Sequence, residues 1–200
     1  MPRLPFGKHS TRLPATQITD DQPTGRVNTA TMTQVRTAVP ADADEVARVH
    51  VRSWQSAYRG LIASDYLDGL KPEAWAARYT FGRVGLRMPS TLVAADGAAI
   101  RGLVTTGLGR DADLPDFGEL MAIYVDPAHT GTGVGRLLMT AARERLRLVG
   151  APGALLWVLD RNVSARRFYE RDGWSFDGTC RTATFGDVSV QLMRYRCAPV

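Results

Sequence analysis

Three alternating glycines stand where an apolar segment gives way to a helical pattern. Residues 119–125 are mostly apolar, and Pro127 interrupts the segment before Gly131, Gly133 and Gly135 follow. Glycine adopts positive φ at little cost and carries no Cβ. Several backbone N–H groups can therefore converge on one anion at the positive end of the following helix. The spacing predicts a pocket for a diphosphate.

Two common phosphate motifs do not fit this run of glycines. The dinucleotide fingerprint GxGxxG would require glycine at the position of Arg136. The P-loop pattern GxxxxGK[ST] occurs nowhere in the chain. What remains is GxGxG after a strand and a Pro-containing turn.

That remaining pattern resembles the acyl-CoA-binding motif of the GNAT superfamily of N-acyltransferases. The family pattern Val-x-Pro-x-x-Arg/Gln-Gly-x-Gly-x-Gly/Ala is matched from Val125 to Gly135, with Thr130 at the Arg/Gln position. A second family block, Asn-x-x-Ala-x-x-Phe-Tyr-x-x-x-Gly-Phe/Trp, is matched from Asn162 to Trp174. The two blocks occur in the family's order. A third stretch that begins at residue 54 resembles a large bacterial branch, so the likeness covers residues 33–196.

The resemblance implies acetyl-CoA as the cofactor. It implies that the strand ending at Val125 splays from the strand ending at Leu159, so that the pantetheine arm can add to the gap as an extra strand. A backbone N–H in that gap can polarise the thioester carbonyl. Thr130 is a smaller donor than the family residue, but backbone N–H groups supply most of such a cradle and Arg136 is available nearby. The expected cofactor contacts are Ile123, Tyr124, Val125, Thr130, Gly131, Thr132, Gly133, Val134, Gly135, Arg136 and Asn162.

The resemblance also places Tyr169 beside the thioester sulfur. A phenol stays protonated at pH 7, so Tyr169 can donate a proton to the departing thiolate. Glu119, at the start of the cofactor strand, is the best-placed carboxylate to accept a proton from the acceptor ammonium. Asn162 can cap its helix, bond the pantetheine amide, or do both. Core packing for Tyr169 and an exposed strand-end position for Glu119 are the non-catalytic alternatives.

Aromatic residues concentrate in the helical region before residue 80. Aromatic walls can hold an amine through cation–π contact, so this group is predicted to line the acceptor side. Packing in the core is the alternative for each of them. Either a small-molecule amine or a peptide N-terminus would suit such a wall. The residues are Trp54, Tyr58, Tyr66 and Trp75.

The hydrophobic periodicity predicts an α/β fold that can position these groups. With the resemblance, it predicts the GNAT fold, a central mixed and mostly antiparallel sheet of six to seven strands flanked by helices. The helix expected at 134–149 should bury Leu137, Leu138, Ala141 and Leu148. Strands are predicted at 34–39, 91–95, 99–108, 119–125, 154–159, 174–176 and 188–195, and further helices near 40–57, 64–70, 72–79 and 162–172.

The composition and charge limit the number of domains, the compartment and the kinds of ligand. A 200-residue chain that is 44% hydrophobic predicts one globular domain, assigned to residues 32–200, after a disordered extension over 1–31. Without a membrane-length apolar run or a signal sequence, the expected compartment is the cytoplasm. The two cysteines, Cys180 and Cys197, predict neither a disulfide framework nor a metal site. The net charge of +5 comes from scattered arginines, which does not favour nucleic-acid binding.

Two functions remain open at this stage. The first is an acetyl-CoA-dependent N-acetyltransferase in which the amine attacks directly within a ternary complex. An acyl-cysteine intermediate is not expected, because neither cysteine has a neighbouring histidine in sequence. The second is a non-catalytic acyl-CoA-binding or regulatory module. A larger acyl donor such as succinyl and a homodimer formed through exposed closing strands are further possibilities.

Overall fold

Seven strands form one sheet in this computed structural model, which describes residues 32–82 and 88–200. The predicted extension over residues 1–31 lies outside the described residues. The strands are β1 (Gln34–Thr37), β2 (Ser90–Asp96), β3 (Ala99–Leu108), β4 (Gly118–Val125), β5 (Ala154–Leu159), β6 (Ser175–Phe185) and β7 (Val188–Cys197). The helices are α1 (Ala43–Ala57), α2 (Ser64–Asp68), α3 (Pro72–Ala76), α4 (Val134–Leu148) and α5 (Val163–Arg171).

The sheet runs in the order β1-β2-β3-β4-β5-β7-β6, and only β4 and β5 pair in parallel. The prediction of a mixed, mostly antiparallel sheet is confirmed. Parallel pairing is restricted to Gly118 with Ala154 and Glu119 with Leu155. Beyond these two pairs β4 and β5 separate, which is the predicted splay. The gap opens toward the ends of both strands, where β4 runs into the glycine turn.

The two faces of the sheet bury different helices. On one face, α4 and α5 pack over a core that contains Leu138, Leu156 and Tyr195. On the other, α1 packs over β2 and β3 through Val46 and Val49. A third apolar cluster joins the α1–α2 region to β5 and β7. The α1 side and the α4 side of the sheet therefore have separate apolar cores. The split between β4 and β5 is an opening between the two sides.

The buried face of α4 differs from the prediction. Leu137 is 45% exposed and Leu148 is 68% exposed. Of the predicted face only Leu138 is buried. The prediction is wrong because α4 carries apolar residues on two adjacent i, i+4 rows, and periodicity does not show which row meets the sheet. The buried residues are Val134, Leu138, Met139, Ala142 and Leu146.

The closing hairpin is longer than predicted. The sequence predicts strand only at 174–176, whereas β6 extends from Ser175 to Phe185 and pairs with β7. The added part is rich in Thr and polar residues and is largely exposed, so it lacks the apolar alternation on which the prediction depended. This hairpin brings Phe185 against the helical region before residue 80, where it contacts Trp54 and Tyr66.

Candidate active site

The glycine turn adopts the backbone that the sequence predicts. The Asp126 side chain accepts a hydrogen bond from Ala128 N at 3.0 Å and starts a short 3-10 turn. Gly131 and Gly133 then adopt φ of 81° and 91°, and Gly133 is the N-cap of α4. A Cβ at either glycine would meet no atom of the described residues within 4 Å. The turn therefore presents bare backbone to open space at the positive end of a 15-residue helix.

Four backbone N–H groups of this turn have no acceptor within the described parts of the chain. They belong to Gly131, Gly133, Val134 and Gly135. The N–H groups of the neighbouring predicted contacts are already used: Thr132 N lies 3.4 Å from His129 O, and Arg136 N donates to Gly133 O at 3.0 Å. The side chains of Thr130, Thr132 and Arg136 are exposed beside the turn. Four unpaired donors at a helix start fit a diphosphate.

The edge of β4 that borders the split is formed by alternate residues. Asp126 N donates to Arg101 O at 2.8 Å, so the backbone of Asp126 faces β3. By strand alternation Tyr124 also faces β3, and Ile123 and Val125 face the split. Val125 O accepts a hydrogen bond from Ser53 Oγ at 2.9 Å. The backbone groups of Ile123 and Val125 thus face the split, as predicted. Those of Tyr124 face β3, and its side chain lies on the α1 side of the sheet.

A β-bulge in β4 decides which side chains share a face. The pairs Thr105 with Ala122 and Thr106 with Leu120 leave one extra residue in β4. Leu120 and Ile123 both pack toward α4, although they are three residues apart. Glu119 and Tyr124 consequently lie on the opposite, α1 side. Without the bulge, their odd separation would place them on different faces.

Glu119 is buried and fully paired. Its side chain is 4% exposed, and Arg110 covers it with Nε 2.9 Å from Oε2 and Nη2 2.6 Å from Oε1. The non-catalytic alternative, an exposed strand-end acid, is wrong. Its role as a proton acceptor stays a prediction. The Arg110 guanidinium binds both oxygens of the carboxylate that would accept the proton.

Tyr169 lies in α5 with its ring in the core, in contact with Phe168, Trp174 and Tyr195. Burial raises the pKa of Tyr169 above its usual value, so the phenol stays protonated at neutral pH. Within residues 32–82 and 88–200, no group hydrogen-bonds its hydroxyl. Asn162 caps α5 by accepting from Ala165 N at 3.1 Å, which confirms the capping half of its prediction. Its bond to pantetheine stays a prediction.

The predicted aromatic wall forms one contiguous cluster. Trp54 is at its centre, with ring centroids 5.0 Å from Tyr58, 5.9 Å from Trp75 and 6.4 Å from Tyr124. Tyr66 joins through Phe185. The cluster packs beside Tyr124, on the face of the sheet to which Glu119 also points. The four predicted residues therefore share a face with the candidate proton acceptor. Trp54, Tyr58 and Tyr66 also pack against a buried apolar cluster, and Trp75 is half-buried.

Two residues of this region, His50 and Arg110, were not among the predicted site residues. His50 stacks on Tyr124 with centroids 4.6 Å apart, and its Nδ1 lies 2.8 Å from Tyr79 Oη. Burial lowers the pKa of His50 to about 4, so its ring is neutral at pH 7. The sequence does not indicate a role for Arg110, because this residue lies in a loop that has no hydrophobic periodicity. No group of three metal-binding side chains occurs in the described part of the chain, and none of its helices has the length and hydropathy of a membrane span.

Comparison with known proteins agrees with this geometry. Residues 51–174 match the Acetyltransferase (GNAT) family. The chain is 31% identical over 138 residues to the uncharacterised N-acetyltransferase YuaI of Bacillus subtilis. The aligned region covers 66% of this chain and 75% of YuaI. The chain is 30% identical over 178 residues to the probable N-acetyltransferase Rv2775 of Mycobacterium tuberculosis, spanning 83% and 95%. The fold superposes on the PaiA N-acetyltransferase of Thermoplasma acidophilum, solved with coenzyme A, with a TM-score of 0.61 and 18% identity over 80% of this chain and 96% of PaiA.

The split sheet and the unpaired N–H groups at the start of α4 agree with an acyl-CoA-dependent transferase. The chain belongs to the Acetyltransferase (GNAT) family and is an N-acetyltransferase that uses acyl-CoA. This membership favours the enzyme over the non-catalytic binding module.

Proposed function

We propose that the protein transfers the acetyl group of acetyl-CoA to a primary amine by direct attack within a ternary complex. The acceptor is a small-molecule amine or a peptide N-terminus. The observation that carries the proposal is the continuity of the cradle with the part of the β4 edge that no other described strand pairs. The four free N–H groups at the start of α4 suit a diphosphate, and the edge at Ile123 and Val125 suits an extended amide chain. Acetyl-CoA has both groups.

The side chains near the split support the chemistry of acyl transfer. The amine nitrogen forms a bond to the thioester carbonyl carbon, and the carbon–sulfur bond breaks. The N–H groups of Ile123 and Val125 are the candidate donors to the oxyanion. Tyr169, protonated and with a hydroxyl that no described residue hydrogen-bonds, supplies the proton that the CoA thiolate takes up. Glu119 accepts the proton that the acceptor ammonium loses before attack. The nitrogen loses a second proton as the amide forms, and that proton replaces the one that Tyr169 gave to the thiolate.

Acetyl as the transferred group is supported by the family description and by the names of the relatives, which are N-acetyltransferases. The acceptor class is supported by the aromatic wall around Trp54. A cationic amine is attracted to the faces of Trp and Tyr, and a buried carboxylate lies on the same side of the sheet.

Replacing Tyr169 with phenylalanine tests the proposed proton donor. The change removes one hydroxyl from a packed ring, so acetyl-CoA affinity should persist while kcat falls about 100-fold, the usual contribution of a general acid. Turnover is measured as thiol release from acetyl-CoA across a panel of amines, and affinity is measured by calorimetry.

A matched control is Tyr195→Phe. Tyr195 is a neighbouring buried tyrosine whose hydroxyl donates to Glu170 at 2.8 Å and takes no part in the proposed reaction. Its loss should lower the melting temperature and leave kcat close to that of the parent. Unchanged turnover in Tyr169→Phe would remove Tyr169 from the mechanism. Absence of thiol release from the parent with every amine would contradict the proposed function.

A further inference from the structure

Arg110 separates the Glu119 carboxylate from solvent. Both carboxylate oxygens accept hydrogen bonds from this one guanidinium, at 2.9 and 2.6 Å. The Glu119 side chain is 4% exposed, whereas that of Arg110 is 65% exposed. The outer side of the guanidinium therefore faces water while its inner edge binds a buried anion. Any other cation that reaches Glu119 from solvent must take the place of Arg110.

The loop that carries Arg110 is anchored on its far side. Arg194, 6% exposed, donates from Nη1 to Asp111 at 2.9 Å and to Asp113 at 2.8 Å. Asp111 also lies 3.4 Å from Trp157 Nε1. These contacts hold the backbone next to Arg110. Among the described residues its side chain hydrogen-bonds Glu119 alone, and the nearby Asp111 carboxylate adds only a weaker electrostatic attraction. The guanidinium can leave the carboxylate by side-chain rotation, without unfolding of the loop.

The covered carboxylate lies on the face where the acceptor is expected. The bulge in β4 directs Glu119 toward the side of Tyr124 and Trp54, away from α4. An ammonium group carries one positive charge and donates hydrogen bonds, as the guanidinium edge does. Exchange of one cation for the other would keep the buried carboxylate compensated at both stages. That matters because an unpaired buried charge is strongly unfavourable.

We propose that Arg110 is a specificity-determining residue that occupies, on Glu119, the position taken by the acceptor ammonium. The acceptor gains this position by displacing the guanidinium. An amine that is cationic in solution can make the exchange, and a neutral or anionic head group cannot. The inference rests on the proposed function, because it assigns the ammonium of the acceptor to Glu119.

The test measures binding of benzylammonium to the CoA-saturated full-length protein by calorimetry. Arg110→Gln removes the competing cation, so benzylammonium should bind about fivefold more tightly than to the parent, the strength of one exposed ion pair. Arg110→Lys retains a competing cation and should give an intermediate affinity. Adding Glu119→Gln to Arg110→Gln should abolish the gain. The CoA affinity should be the same in all variants, which a general structural defect would not preserve.

Melting temperatures establish that each variant is folded. If Arg110→Gln does not fold, Arg110→Lys is compared with the parent instead. Equal benzylammonium affinity in the parent and in a folded Arg110 variant would overturn the proposal. So would a gain that persists without the Glu119 carboxylate, or no binding to any variant. Failure of the proposed function has a different signature, namely loss of CoA binding or of thiol release in the parent.

Discussion

At the scale of single residues, the proposed phosphate cradle depends on two glycines in the left-handed region. Gly131 and Gly133 have positive φ, and the space around their missing Cβ atoms is empty. A side chain there would strain the backbone and also occupy the volume that a diphosphate needs. Gly135 differs, because its α-helical backbone accepts a side chain and a Cβ would make ordinary contact with Phe168 at 3.5 Å.

Replacing Gly133 with valine should abolish CoA binding. The β-branched side chain disfavours the positive φ that orients the free N–H groups, and it projects into the cradle. The measurement is the calorimetric Kd for CoA. Gly150→Val is the matched control, because Gly150 also has positive φ, at 77°, and open space, but ends α4 far along the chain from the cradle. An unchanged Kd in Gly133→Val would exclude this turn as the phosphate site.

At the scale of elements, the segment between β3 and β4 is held by the closing hairpin. Arg194 of β7 binds Asp111 and Asp113 of that segment and Asp177 of β6. Three carboxylates around one buried guanidinium raise the pKa of Arg194 further above its usual value, chiefly through the hydrogen bonds with Asp113. The hairpin therefore fixes the segment from which Arg110 reaches Glu119.

Replacing Arg194 with methionine should destabilise the protein by about 3 kcal/mol, because the buried carboxylates of Asp111 and Asp177 lose the one buried cation that they share. As a cationic partner among the described residues, Asp177 would keep only Arg196, which is 42% exposed. Arg59→Met is the control, since Arg59 and its partner Asp68 are 56% and 58% exposed and such a pair contributes less than about 1 kcal/mol. Urea unfolding gives both free energies. Equal effects of the two substitutions would show that the Arg194 cluster does not anchor the segment.

At the scale of the whole molecule, His50 joins helices to sheet. Its ring lies 4.2 Å from Trp75 in α3 and 4.6 Å from Tyr124 in β4. Burial lowers the pKa of His50 from 6.5 to about 4. Protonation of the folded protein at this site is therefore unfavourable, and global stability depends on pH.

The sign follows from proton uptake. Between pH 6.5 and about 4 the unfolded chain binds a proton at His50 and the folded chain does not, so stability falls as pH falls through this window. The loss amounts to about 3 kcal/mol. His50→Phe should lack this contribution, measured as the difference in unfolding free energy between pH 7 and pH 4.5. Carboxylates titrate in both proteins, so their contributions to the pH dependence of the unfolding free energy cancel when parent and variant are compared. Parallel pH curves would contradict the assignment.

The sequence by itself determined the family, the strand order along the chain and the glycine turn before α4. Each of these depends on local chemistry: glycine at positive φ, Asn162 as a cap, and alternation in the strands. The mixed sheet and its split followed from the resemblance carried by two short blocks. The functions of Tyr169, Glu119 and the aromatic wall stay predictions, although the structure gives them suitable positions.

Only the tertiary structure decided which side chains share a face and which are paired. The bulge in β4 places Glu119 beside Tyr124, against simple alternation. The choice between two apolar rows of α4 depends on the sheet beneath it. The Arg110–Glu119 pair joins a loop to a strand start, and Arg194 joins residues more than 80 positions apart. Such contacts leave no periodic signal, because they are set by the path of the backbone rather than by local sequence.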